Sequence, residues 1–169
     1  HTSVRYKEND IALEHTQLNL RSFLNSAMSV LLIDGAAGSG KSALVKQLTD
    51  GLTNDCAFLA FKSTDLDVND ILNFLTPYGE LNLDEVIDVY KMADTRVLYI
   101  DAAEKFFVCE YQETFEDILN RFMAAGWKII LTLRTAYRDS FQNSLLHGSK
   151  VQTYHVEPVD SDKLSTLSH

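Results

Sequence analysis

No stretch of this chain constrains its fold more than Gly35-Ala36-Ala37-Gly38-Ser39-Gly40-Lys41-Ser42, which fits the phosphate-binding pattern G-x-x-x-x-G-K-[ST] at every fixed position. Its context fits as well. An apolar run, Val30-Leu31-Leu32-Ile33, leads in, and Leu44, Leu48 and Leu52, spaced by four, lead out. Strand, glycine-rich loop and helix in that order is the setting the pattern requires. The glycines let the backbone curl so that several N–H groups point inward as an anion nest. The helix that follows adds the positive end of its dipole. Lys41 offers a point charge to the outer phosphates, and the Ser42 hydroxyl offers one ligand to Mg²⁺. These residues predict a chain that binds a nucleoside triphosphate, with all eight positions from Gly35 to Ser42 around it.

The rest of the chain alternates in a way that suits such a loop. Val30–Ile33, Ala57–Phe61, Val97–Ile100 and Ile129–Leu133 are continuous apolar runs, the pattern of strands covered on both faces. Val151 to Val156 reads as a fifth strand with less regular alternation. Between the runs lie stripes at helical spacing: Val68, Ile71, Leu72 and Leu75; Leu83, Val86, Ile87 and Tyr90; Phe115, Ile118, Leu119 and Phe122. Pro77-Tyr78-Gly79 separates the first two, and Asn82 with Glu85 is placed as a cap and its reciprocal partner. The order β-α-β-α-α-β-α-β-α-β predicts an α/β fold, a three-layer α-β-α sandwich around a mostly parallel sheet of about five strands. A nucleotide then belongs at the carboxyl ends of the strands.

Two more groups of residues are expected at that edge. Val97-Leu98-Tyr99-Ile100-Asp101 is an apolar strand ending in a carboxylate, where phosphoryl-transfer enzymes with such a loop place the acid that holds Mg²⁺. Asp101 therefore joins Ser42 on the metal side, acting through a coordinated water. Glu104 is the second carboxylate, expected to orient or deprotonate the attacking water. Ile129-Ile130-Leu131-Thr132-Leu133-Arg134 ends a buried strand in a fixed cation beside the phosphates. Arg134 is expected to sense the γ-phosphate. The catalytic set is thus Glu104, Asp101, Arg134 and Lys41.

Composition narrows the setting. A chain of 169 residues with 46% hydrophobic content can bury a proper core as one domain. The chain does not begin with Met and ends in a polar stretch, Ser161 to His169, so it is expected to be a piece of a longer protein. No run of 18 apolar residues exists, and no signal peptide or lipidation motif is visible, so no membrane partner is expected. Cys56 and Cys109 are too isolated for a zinc or redox motif, and as reduced thiols they suit a cytoplasmic location. A net charge of −9 argues against this segment gripping DNA or RNA over a broad surface.

Taken together, Gly35–Ser42, Ile100-Asp101-Ala102-Ala103-Glu104 and Leu131-Thr132-Leu133-Arg134 resemble the STAND class of signal-transducing P-loop ATPases, relatives of AAA-type, NACHT and NB-ARC modules. Glu104 matches the acid that the class carries three positions after the Asp, and Thr132 with Arg134 matches its sensor strand. Tyr154-His155-Val156-Glu157-Pro158-Val159-Asp160 is similar to the junction between the last strand and a helical lid. Within the class, the Asp101–Glu104 and Arg134-Thr135-Ala136-Tyr137 segments are most similar to bacterial antiviral STAND proteins. The resemblance implies ATP and ADP as ligands with Mg²⁺, slow hydrolysis, and a role in innate defence. It also implies a protein activator and a homo-oligomer favoured by ATP. It divides the chain into a lead-in with a first helix (1–27), the P-loop core (28–158) and the start of the lid (159–169). Adenine contacts are expected near Arg5 to Ile11.

The chain also departs from that class. Lys105 stands where NACHT domains carry another acid, and Thr135 where a Pro often follows the sensor Arg. Three other readings stay open. They are an AAA-type motor or loader that remodels nucleic acid or protein, a scaffold that binds nucleotide without hydrolysing it, and a small-molecule phosphoryl transferase. The last requires an acceptor pocket and an arginine-rich lid, and Arg134 and Arg138 are the only arginines after Arg121.

Overall fold

Five strands form where the apolar runs lie, in a computed structural model that describes residues 18–52 and 55–158. They are β1 (Val30–Gly35), β2 (Cys56–Lys62), β3 (Thr95–Asp101), β4 (Lys128–Arg134) and β5 (Val151–Val156). The sheet runs β2-β3-β4-β1-β5, and each of its four pairings is parallel. β1 is buried at every position, and β4 from Ile129 to Leu133, because helices cover both faces of the middle of the sheet. The outer strands β2 and β5 are only partly covered, which explains the weak apolar pattern of β5.

Helices α1 (Leu20–Asn25), α2 (Lys41–Thr49), α3 (Leu83–Val89), α4 (Gln112–Ala124) and α5 (Arg138–Leu145) complete the layers. Successive side chains of a strand face opposite ways, so β1 feeds two cores. Leu31 and Ile33 meet Leu20 and Phe23 of α1 and Val45 and Leu48 of α2. Val30 and Leu32 belong to the larger core, with Phe115, Ile118, Leu119 and Phe122 of α4, Phe141 of α5 and Trp127. The α4 stripe read from the sequence is buried in full. In α3, Leu83 is buried, Val86 and Ile87 are half-buried, and Tyr90 lies beyond the helix end at 37% exposure.

Two helical expectations need correction. The stripe Val68, Ile71, Leu72 and Leu75 is not a helix; residues 63–78 form successive 3-10 turns, Ser63–Leu66, Ile71–Asn73 and Thr76–Tyr78. Acidic side chains here compete with helical bonding by taking backbone N–H groups themselves. Asp65 accepts from Lys62 N at 2.9 Å, Asp70 from Leu72 N at 3.0 Å, and Asp67 from Tyr111 N at 2.8 Å. Leu75 is buried but Leu72 is 65% exposed, so the stripe is not a core face. The helix after the glycine-rich loop also ends early, at Thr49, and Leu52 reaches its core through a turn closed by Leu52 N donating to Thr49 O.

The forward half of the expected cap is present: Asn82 Oδ1 accepts from Glu85 N at 2.8 Å at the start of α3. Asn82→Ala should cost about 1 kcal/mol of stability. Urea unfolding of the two proteins measures this directly, and an unchanged midpoint would show that α3 is held by packing alone. Cys56 and Cys109 are free and half-buried, and burial raises the pKa of each thiol above its ordinary value. No helix among the described residues is long and apolar enough to cross a membrane. The expected adenine contacts near Arg5 to Ile11 and the expected lid at 159–169 lie outside the described residues.

Candidate functional site

Because every strand runs the same way, Gly35, Lys62, Asp101, Arg134 and Val156 all end at one edge of the sheet. The loop from Gly35 to Ser42 begins there. Gly38 and Gly40 have φ of +73° and +93°, a region that other residues enter only with strain. Gly35 is required for a different reason: a Cβ there would lie 2.5 Å from Ser39 Oγ and 3.0 Å from Val156 O. Ser39 N closes the turn on Ala36 O at 3.1 Å. Gly40 caps α2 without any side-chain acceptor, so the first N–H groups of that helix are left for an anion. Lys41 folds back over the loop, its Nζ donating to Gly35 O at 3.0 Å and Ala36 O at 2.7 Å.

Ser42 and Asp101 meet although 59 positions separate them. Ser42 Oγ donates to Asp101 Oδ1 at 3.0 Å, and the same oxygen accepts from Tyr99 Oη at 2.9 Å and Thr132 Oγ1 at 2.7 Å. Burial raises the pKa of Asp101, but the hydrogen bonds from Thr132, Tyr99, Ser42 and the Ala102 backbone outweigh it and hold the acid below its ordinary value. Asp101 is therefore ionised at neutral pH. Since Ser42 gives its hydrogen to Asp101, the lone pairs of its oxygen stay free for a cation.

The turn after Asp101 is unusually constrained. Ala102 has φ +55°, rare for a residue with a Cβ. Thr132 Oγ1 accepts from Ala102 N at 3.0 Å, and Ser63 Oγ donates to the carbonyls of Asp101 and Ala102 at 3.0 and 2.7 Å. This turn starts the 3-10 segment Ala103–Val108 and delivers Glu104 to the edge. Glu104 is 13% exposed, and its Oε1 lies 3.7 Å from Nε of Arg134, which is 58% exposed. Its other oxygen, Oε2, is buried with no partner among the described residues, and so is Ser39 Oγ. The structure thus brings Lys41, Ser42, Asp101, Glu104 and Arg134 to one edge of the sheet.

The residues fit Mg²⁺ held through a phosphate ligand and water. One hydroxyl and one ionised carboxylate are too few for an all-protein cage, which Mg²⁺ seldom uses. No cluster of three His, Cys, Asp or Glu side chains suited to a metal exists among the described residues.

Two features of the site are invisible in the motifs. The first is a cavity of about 500 Å³ beside Ser42 and Asp101, between α2 and the outer strand β2, with Val45, Phe58, Tyr78 and Tyr99 in its lining. The second is Asp34, fully buried at the end of β1. Asp34 accepts from Thr135 Oγ1 at 2.8 Å, Arg138 Nη1 at 3.3 Å and His155 Nδ1 at 2.6 Å. Burial raises its pKa, but those three hydrogen bonds and the Arg138 charge prevail and keep it below the ordinary value. The available signal was a charge inside a run destined for burial, which demands a partner.

No family model matches the chain, and no curated protein sequence does. Solved structures do. Drosophila ORC, solved bound to DNA, is similar at TM-score 0.57 and 13% identity, over 86% of this chain and 43% of that one. A DNA replication initiation factor is similar at 0.55 and 17%, over 98% and 48%. Katanin, from work on its self-assembly, is similar at 0.56 and 10%, over 95% and 53%. The chain spans about half the length of these neighbours or less. At such identities the likeness is one of fold: a parallel α/β sheet with flanking helices.

Proposed function

We propose that this chain is the nucleotide-binding core of a STAND-type switch ATPase that takes ATP with Mg²⁺, hydrolyses it slowly, and assembles when ATP replaces ADP. The observation that carries the nucleotide reading is the 3.0 Å contact of Ser42 Oγ with Asp101 Oδ1 at the mouth of the glycine-rich loop. A random glycine turn has no reason to meet a strand-end carboxylate kept ionised by three hydroxyls. The STAND reading is supported by Glu104, three residues after Asp101, and by Arg134 at the end of its strand.

In this reading the loop N–H groups and the α2 dipole bind the phosphates, and Lys41 Nζ exchanges the Gly35 and Ala36 carbonyls for phosphate oxygens. Ser42 Oγ and Asp101 would hold Mg²⁺, which would supply neutralisation of the charge on the transferring phosphate. Water attacks the γ-phosphorus, the bond to the bridging oxygen breaks, and ADP leaves with that oxygen. Glu104 takes the proton shed by the water. In the structure Glu104 is engaged with Arg134, so a γ-phosphate that draws Arg134 away also frees the base. That competition accounts for slow turnover and for a difference between ATP and ADP states.

The cavity beside Ser42 and Asp101 supports the assembly reading. Phe58 in its lining is 36% exposed on an outer strand, which leaves that flank of the cavity open to a second copy. A different observation favours an AAA-type loader, namely the likeness to Drosophila ORC bound to DNA and to a DNA replication initiation factor. The charge of −9 leaves any DNA contact in such a loader to other segments.

Light scattering of the intact protein with ATP, ADP and its activator separates these readings. Growth in mass with ATP alone or with ATP and activator supports the switch. Persistent monomer, together with salt-dependent DNA binding, would favour the loader. Arg134→Ala should cost roughly fivefold more affinity for ATP than for ADP, because a ligand shifts an equilibrium only by its differential affinity. Calorimetry with both nucleotides tests this, and equal losses would remove Arg134 from the sensor role.

A further inference from the structure

We propose that Asp34 is a positioning residue for Arg134: it locks the end of β4 to the phosphate loop and so sets how well the site tells a triphosphate from a diphosphate. The inference rests on the reading of Arg134 as the group that meets the terminal phosphate.

Register places the residues together. Gly35 of β1 pairs with Arg134 of β4, and Asp34 pairs with Leu133 on one side and His155 on the other. Arg134 is therefore the direct neighbour of the first loop residue. Its backbone is next fixed by Thr135, whose hydroxyl donates to Asp34 at 2.8 Å. Arg138, which opens α5, grips the other carboxylate oxygen at 3.3 Å. The short segment Thr135–Tyr137 is thus pinned at both ends to one carboxylate that itself precedes the loop by a single residue. His155 draws β5 into the same point at 2.6 Å.

A carboxylate with no exposed surface is costly to keep charged, so the arrangement is an unusual means of merely filling space. An apolar residue would pack there without needing three donors from two other segments. What the charge adds is direction. Each donor has one place to go, and the β4 end therefore has one position relative to Gly35. The Arg134 side chain itself is 58% exposed and, among the described residues, its one ionic partner is Glu104 at 3.7 Å, so its aim depends on where its backbone is anchored.

The test is the ratio of ADP to ATP dissociation constants, measured by calorimetry on the intact protein with Mg²⁺. Asp34→Asn keeps the shape but turns an amide donor toward Arg138 or Thr135. Arg138 is 34% exposed, so water can solvate it once its partner is neutral. Thr135→Val is milder, removing one hydroxyl and leaving the ion pair intact. Either change is expected to lower the preference for ATP by roughly three- to tenfold, with ADP affinity nearly unchanged. In an Arg134→Ala background Thr135→Val should have no further effect on the ratio, because it acts through Arg134.

Equal weakening of both nucleotides, or a Thr135→Val effect that persists without Arg134, would overturn the inference and leave Asp34 a structural residue. If Arg134→Ala itself keeps the wild-type ratio, the sensor reading falls and this inference with it. If Arg134→Ala changes the ratio and neither Asp34→Asn nor Thr135→Val does, only this inference falls.

Discussion

Glu104→Gln is expected to bind ATP as tightly as the wild type and to hydrolyse it roughly a hundredfold more slowly in the intact protein. The amide keeps the size and the hydrogen-bonding capacity of the side chain but cannot accept the proton from water. The geometry is specific about why. One carboxylate oxygen faces Arg134 Nε at 3.7 Å, while Oε2 is buried with no partner among the described residues. The oxygen facing Arg134 is the one that departure of the cation would free to receive a proton. Single-turnover hydrolysis separates this step from binding and product release. Wild-type turnover in the Gln variant would reduce Glu104 to a tether for Arg134.

Lys41→Ala should weaken both ATP and ADP by tenfold or more, about 1.4 kcal/mol at least. Lys41 Nζ already lies over the loop, donating to the carbonyls of Gly35 and Ala36. Its removal costs the loop its own cation without altering the glycine backbone. The expected pattern differs from that of Arg134→Ala, which spares ADP. Titration with a fluorescent ATP analogue measures the loss, and an unchanged affinity would mean that the nucleotide binds elsewhere.

Much of this arrangement was legible because its signals are local. Gly35–Ser42 declares itself by spacing, β1, β3 and β4 by unbroken apolar runs, and Asp101, Glu104 and Arg134 by their places after those runs. The segment from Ser63 to Tyr78 was misread for an equally local reason. Its apolar spacing imitates a helix, while Asp65 and Asp70 cap short turns at Lys62 N and Leu72 N and Asp67 reaches away to Tyr111 N. Asp34 was passed over because its partners are remote: Thr135, Arg138 and His155 lie 101, 104 and 121 positions away. Tyr99 and Ser63 were missed likewise, since only the folded sheet brings their hydroxyls to the turn around Asp101 and Ala102.

The position of β1 in the sheet has a consequence for how such a chain is made. β1 is the first of these five strands to be synthesised, yet its neighbours are β4 and β5, and Val30 pairs with Ile129 and Val151. At ~5–20 residues per second a ribosome needs on the order of ten seconds to supply those partners. Until then the most apolar strand of the chain has no edge to join, and the glycine-rich loop has nothing to hold its shape. A nascent chain that has reached β3 carries Asp101 but no frame for Ser42. The edge that gathers Lys41, Ser42 and Asp101 is therefore framed only once β4 and β5 have paired with β1. The loop is thus the last part of this sheet edge to take its shape, although it is among the first to be translated.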